Sequence, residues 1–177
     1  MTDNGLYSQC QHGFRKQRSC ITQLLLVMED LTKFIEDGHP IDIVYLDFKK
    51  AFDSVPHQRL PSKLAAYGIT GNIFKWIKDF LTNRHQRVRV GNHYSPMTEV
   101  LSGIPQGSVL GPILFTIFIN YLPNCVQSCC KVFADDTKMY DSTDNAGRIQ
   151  EDIIIGYRDG QIYGIYILLL LTVQFCT

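Results

Sequence analysis

The chain has no surplus of either charge: 17 Lys and Arg stand against 17 Asp and Glu. That balance withholds the whole-chain basic signal of a dedicated nucleic-acid-binding protein. The six cysteines, Cys10, Cys20, Cys125, Cys129, Cys130 and Cys176, lack C-x-x-C spacing with matching His or Cys pairs. This speaks against a zinc site and for reduced intracellular thiols. No basic segment followed by an apolar run and a small-residue cleavage site opens the chain, so it is expected in the nucleus or cytoplasm rather than secreted. The apolar run Ile165 to Phe175 follows Arg158 and Asp159 closely and falls short of the roughly 20 residues a bilayer needs. No membrane partner is expected, and a poorly packed tail is the simpler reading. Internal repeats and low-complexity tracts are missing too.

What is present suits one globular domain with a sizeable core, since 45% of the 177 residues are hydrophobic. Ser19 can cap a helix whose apolar residues Ile21, Leu24, Leu25, Met28, Leu31 and Ile35 recur at helical spacing, with Gly38 and Pro40 ending it. That stripe predicts a packed amphipathic face. Ile41 to Leu46 is short, apolar and rich in β-branched residues, which predicts a buried strand with Asp47 at its C-terminal end. Val55 to Tyr67 reads as helix, delayed or kinked by Pro61, and a second helix runs from about Asn72 until Asn83 and Arg84. Gln86 to Val90, the turn Gly91-Asn92 and Met97 to Leu101 form a basic hairpin. Val109 to Leu122 is apolar enough for a buried helix with Pro112 in its first turn. Lys131 to Ala134 and Thr137 to Tyr140 are strands flanking Asp135 and Asp136, which places both acids at a hairpin tip. Helices backing an antiparallel sheet make an α+β domain.

Two acids, Asp47 and Asp135, therefore close apolar strand-like segments far apart in sequence, with Asp136 beside the second. Strands lying side by side would bring such carboxylates together around divalent metal, the arrangement a two-metal phosphoryl-transfer site requires. An isolated acid pair in a turn is more often a solvated tip. The order of the motifs decides between the two.

Tyr45-Leu46-Asp47-Phe48-Lys49-Lys50-Ala51-Phe52-Asp53, Gly103-Ile104-Pro105-Gln106-Gly107-Ser108-Val109-Leu110-Gly111-Pro112 and Phe133-Ala134-Asp135-Asp136-Thr137 resemble three successive palm motifs of reverse transcriptases in identity, order and spacing. Gln11-His12-Gly13-Phe14-Arg15-Lys16, Val55-Pro56-His57 and Gln86-Arg87-Val88-Arg89-Val90 extend the likeness to polymerases of non-LTR, LINE or jockey-like retrotransposons over about residues 9 to 153. The resemblance implies a polymerase palm with partial fingers and no thumb. It divides the chain into a fingers segment at 1–40, a palm at 41–141 with an inserted fingers hairpin at about 84–101, and an aberrant tail at 142–177.

By the same resemblance, Asp47, Asp135 and Asp136 are catalytic acids and hold two Mg²⁺ ions, or Mn²⁺ in their place, with the Phe48 carbonyl as a further ligand. Phe52 falls at the steric-gate position, where a ring excludes a 2′-hydroxyl, and Gln106 and Gly107 lie against the incoming nucleotide. Arg15, Arg87 and Arg89 are candidates for nucleic-acid phosphates. The implied partners are an RNA template, a DNA primer and deoxynucleoside triphosphates. Departures from the pattern are Tyr121, where the family usually carries Asp, and Pro61, together with a missing upstream fingers motif and thumb. They suggest a truncated element whose transfer activity is impaired, or a relic that only binds nucleic acid. Another palm polymerase, such as a group II intron maturase or an RNA-copying RNA polymerase, is a further option, and Phe52 argues against ribonucleotides.

Overall fold

The computed structural model describes residues 6–145, 147–158 and 165–173, with only the backbone path for 155–158 and 165–173. Elements run in the order α1 (Cys20–Glu36), β1 (Ile41–Phe48), α2 (Leu60–Ala66), α3 (Gly71–Leu81), β2 (His85–Gln86), β3 (Arg89–Val90), β4 (His93–Tyr94), β5 (Thr98–Glu99), α4 (Leu110–Ile119), α5 (Leu122–Cys125), β6 (Cys129–Phe133), β7 (Asp136–Ser142), α6 (Arg148–Arg158) and β8 (Ile165–Val173). They fall into two compact units, one formed by residues 1–49 with 119–177 and the other by residues 50–118. No helix among the described residues is long and apolar enough to cross a membrane.

The first unit is built on a four-stranded sheet of order β6-β7-β1-β8, antiparallel at each pairing. β1 is central, and its alternation fills both faces. Ile41 and Ile43, with Tyr140 of β7, pack against Val27, Leu31 and Phe34 of α1. Val44 and Leu46, with Cys130, Val132 and Met139, pack against Val126 and against Ile149 and Ile153 of α6. A strand covered on both faces reads as a mostly apolar run, as Ile41 to Leu46 does despite Asp42.

α1 begins as its sequence predicts. Ser19 accepts from the Thr22 amide and the Thr22 hydroxyl oxygen accepts from the Ser19 amide, a reciprocal capping box. Much of its expected apolar face is nevertheless solvent-facing: Ile21, Leu25 and Met28 are each at least 60% exposed, while Leu31 packs on the sheet and Gln23 and Val27 are the buried residues. The sheet presents polar groups to this helix. Lys138 donates to Gln23 Oε1 at 2.8 Å, and Asp30 accepts from the Tyr140 hydroxyl and pairs with Lys131 at 3.0 Å.

Other expectations shift by a few residues for local reasons. α2 starts at Leu60 because Pro61 suits a first turn and not a helix interior. α4 stops at Ile119, and Val109 lies outside it, 88% exposed. The basic hairpin is two short ladders, His85–Gln86 with Thr98–Glu99 and Arg89–Val90 with His93–Tyr94. Pro96, which has no N–H, lies in the strip between them. The apolar run expected as a loose tail is, over Ile165–Val173, a strand paired with β1. Its remaining residues, 174–175, lie outside the described ones.

In the second unit Val55, Leu60, Leu64, Ile77, Leu81, Ile104, Leu114, Phe115 and Ile117 are buried. In the first unit, Asp152 of α6 is 2% exposed and accepts from the Gln127 amide at 3.0 Å, the Ser128 amide at 2.9 Å and the Ser128 hydroxyl at 2.7 Å. Asp152→Ala strands these donors and is expected to cost about 2–4 kcal/mol, since each buried unmet group costs about 1–3 kcal/mol. Urea denaturation measures it. A loss below about 0.5 kcal/mol, the size of an ordinary surface change, would contradict the assignment.

Candidate active site

β6 and β7 are joined by a two-residue loop, Ala134-Asp135, because Phe133 pairs directly with Asp136. The expectation that both acids occupy the tip is thus corrected: Asp135 is in the loop, and Asp136 is the first ladder residue of β7, with an exposed side chain. A two-residue connection demands unusual dihedrals, and Ala134 supplies φ 57°. β1 pairs with β7 up to Leu46↔Thr137. The next residue on β1 is Asp47, so the register carries the strand-end acid to the loop that bears Asp135.

The electrostatics follow from that register. The Asp135 carboxyl is held above the usual carboxylate range, first by burial and then by the negative charges of Asp136 and Asp47. No Lys, Arg or His among the described residues forms an ion pair with Asp47, Asp135 or Asp136. Two half-buried carboxylates that repel each other and lack a protein cation form a donor set for an external one. Among the described residues no group of three or more His, Cys, Asp or Glu side chains is placed to hold a metal ion, so an ion here would rest on the two acids and on non-protein oxygens. The open set fits Mg²⁺, which keeps several waters and substrate phosphates and takes only one or two protein carboxylates. It does not fit a structural zinc site, which takes four protein ligands. Phe48, the further expected ligand, is the last residue of β1.

The remaining predicted residues lie in the second unit, apart from Arg15. Phe52 is half-buried and stacks on Phe115, with ring centroids 4.5 Å apart. Its backbone oxygen accepts from the Ile104 amide at 2.8 Å. Gln106 is exposed, and its Nε2 donates to Asp53 Oδ1 at 3.1 Å. Gly107 has φ +78°, a conformation that favours glycine. Arg87 and Arg89 sit over the Tyr94 ring at 4.1 and 5.4 Å, all three exposed on the β3–β4 hairpin. Arg15 turns inward, donating to the carbonyls of Ser8 at 2.6 Å and Gln11 at 3.1 Å.

Several residues to which the sequence assigned no role in the site hold these in place. Gly103, at φ +89°, lies so close to Asp53 that a Cβ would meet its Cα at 2.7 Å. Ser102 donates to the Asp53 carbonyl at 2.9 Å. Arg84 donates to the Gly103 carbonyl at 2.6 Å, and the His57 ring lies 2.7 Å from the same oxygen. The chain segment after β1 and the Gly103–Gln106 loop are therefore one hydrogen-bonded piece. The Val55-Pro56-His57 motif was the available signal, but its partner was not readable from it.

An open pair of strand-end carboxylates on an antiparallel sheet backed by helices is an arrangement able to take a divalent cation. The family described as reverse transcriptase (RNA-dependent DNA polymerase) matches residues 1–155, and the chain belongs to it. Its relatives are polymerases of mobile elements, which places its sequence in the non-LTR retrotransposon branch of that family. The probable RNA-directed DNA polymerase from transposon BS of Drosophila melanogaster is 33% identical over 129 residues, covering 70% of this chain and 14% of that protein. The RNA-directed DNA polymerase from mobile element jockey of Drosophila melanogaster is 34% identical over 113 residues, covering 64% and 12%. The chain thus spans about one seventh of the length of these relatives. Apo telomerase from Candida tropicalis superposes with a TM-score of 0.67 at 11% identity, covering 93% of this chain and 36% of that one, a likeness of fold.

Proposed function

We propose that this chain carries the palm of an RNA-directed DNA polymerase, with the hairpin at 85–99 as part of its fingers, and adds deoxynucleotides to a DNA primer on an RNA template. The observation that carries the reading is the convergence of Asp47 on the Asp135 loop with no protein cation to neutralise them. In this reading Asp47 and Asp135 would hold the divalent ions, with Asp136 and the Phe48 carbonyl as further oxygen donors. A bound Mg²⁺ pair supplies the charge that acidifies a primer 3′-hydroxyl and offsets the departing pyrophosphate.

The other residues position substrate. The Phe52 ring, fixed against Phe115, excludes a 2′-hydroxyl by bulk. Gln106, oriented by Asp53, offers its amide to the nucleotide, and Gly107 lets the backbone approach closely. Arg87 and Arg89 present guanidinium groups to the phosphates of the strand being copied. Arg15, committed to two backbone carbonyls, acts on its own loop instead.

Primer extension on an RNA template with Mg²⁺ tests this reading. Template-directed incorporation of deoxynucleotides is expected, and duplex binding without any incorporation would favour a binding-only fragment. Phe52→Val should raise ribonucleotide use relative to deoxynucleotide use by roughly 10–200-fold, the range that one or two methylene groups of pocket shape command. An unchanged ratio would remove Phe52 from sugar discrimination.

A further inference from the structure

We propose that Gln11 and Gly13 are positioning residues that lock the Ala134-Asp135 loop, and through it the Asp135 carboxylate, in its metal-binding place; this rests on the reading of Asp135 as a metal ligand.

The contacts converge from a segment 123 residues away in sequence. Residues 10–12 lie along β6 as a parallel bridge: the Val132 amide donates to the Cys10 carbonyl at 2.9 Å, and the His12 amide donates to the Val132 carbonyl at 2.8 Å. Gln11, 1% exposed, then turns its side chain to the tip. Its Oε1 accepts from the Ala134 amide at 3.1 Å and from the Gly13 amide at 2.7 Å. The side-chain orientation is set by this pair, since the NH₂ end would face two donors.

Gly13 completes the contact by having no side chain. A Cβ there would lie 2.3 Å from the Ala134 nitrogen and 2.9 Å from its Cα, both backbone atoms that cannot yield as a flexible side chain can. The loop needs such support. Ala134 occupies the left-handed region at φ 57°, which costs a non-glycine residue roughly 1–2 kcal/mol, and the like charges around Asp135 push it away from Asp47.

The arrangement carries a cost of its own. Gln11 Nε2 is buried without a hydrogen-bond partner among the described residues. An apolar side chain of that length would fill the space without this penalty. What only the amide oxygen supplies is the bridge from the Gly13 turn to the Ala134 amide, so the acceptor accounts for the polar residue.

The test uses the full chain and two variants, Gln11→Met and Gly13→Ala, with Asp135→Ala as reference. Amide ¹⁵N relaxation reads the loop, and Mn²⁺ titration followed by electron paramagnetic resonance reads the acids. In the wild type, Ala134 and Asp135 should show order parameters near 0.85, the value of rigid backbone, and in both variants these should fall toward the flexible range below about 0.6. Mn²⁺ affinity should fall roughly 10–100-fold, as for loss of groups that support metal ligands. If Gly13→Ala does not fold, Gln11→Met alone decides. A folded Gln11→Met chain with wild-type order parameters, or with wild-type Mn²⁺ affinity, overturns the proposal. Wild-type Mn²⁺ binding that survives in Asp135→Ala instead overturns the metal reading, whatever the loop does.

Discussion

Asp135→Ala is expected to lower template-directed incorporation by about three orders of magnitude without unfolding the chain. Metal-held charge stabilisation supplies several kcal/mol of barrier reduction, and each 1.36 kcal/mol is tenfold in rate. Asp47→Ala should act similarly, because the two acids work as one donor set and their losses do not add. The stability half of this expectation is the more diagnostic. Asp135 carries a carboxyl held above its ordinary range by burial, Asp136 and Asp47, so its charge weakens the fold at neutral pH. Asp135→Asn should therefore melt no lower than the wild type while losing activity, the pattern of a residue kept for function. Primer extension beside a thermal melt reads both. A variant that melts much lower would assign Asp135 a structural role instead.

The second large effect is on stability against pH, and it centres on His12. This side chain is fully buried, with Nδ1 3.0 Å from the Thr22 hydroxyl and Nε2 3.1 Å from an Arg18 Nη1. Burial first, and then the positive charges of Arg18, Lys131 and Arg15, bring its pKa from 6.5 down to about 4. The folded state thus binds a proton less readily than the unfolded chain. Stability from this group is complete above about pH 6.5 and is lost as pH falls toward about 4. Between pH 7 and pH 5 the loss should be about 2 kcal/mol. Urea midpoints at the two values measure it, and His12→Gln should flatten the slope. An equal slope in that variant would place the sensitivity elsewhere.

Much of the first unit was legible because both of its organising signals are local. Ile41 to Leu46 is an apolar β-branched run, and it became the doubly covered β1. Ser19 and Gly38 bracketed α1 through cap chemistry that a few neighbouring residues determine. The face of α1 was not legible. Helical spacing marks which residues are apolar but not what they will meet, and the sheet meets α1 with Lys131, Lys138 and the Tyr140 hydroxyl. Gln23 and Asp30 are buried or half-buried in consequence, and Ile21, Leu25 and Met28 face outward. β8 was missed because a uniformly apolar run has no period to distinguish strand from loose tail.

The same division holds for the candidate site. Asp47 and Asp135 stood out as acids ending apolar segments, and the pairing of β1 with β7 is what brings them together. The supports did not stand out. Gln11 and Gly13 act on Ala134, and Asp53 orients Gln106 from 53 residues away. A sequence shows no partner at such separations until the strands are registered. The tip was half legible: both acids were expected there, but the two-residue loop holds Asp135 and puts Asp136 in the ladder.

The central claim is that the side chains of residues 47 and 135 share a divalent cation, and paramagnetic broadening of amide resonances by Mn²⁺ tests it most directly. At substoichiometric Mn²⁺, signals of residues 46–48 and 134–136 should broaden first, and the same substoichiometric addition should leave them sharp in Asp47→Ala and in Asp135→Ala. Broadening centred elsewhere, or at only one of the two segments, would contradict the account.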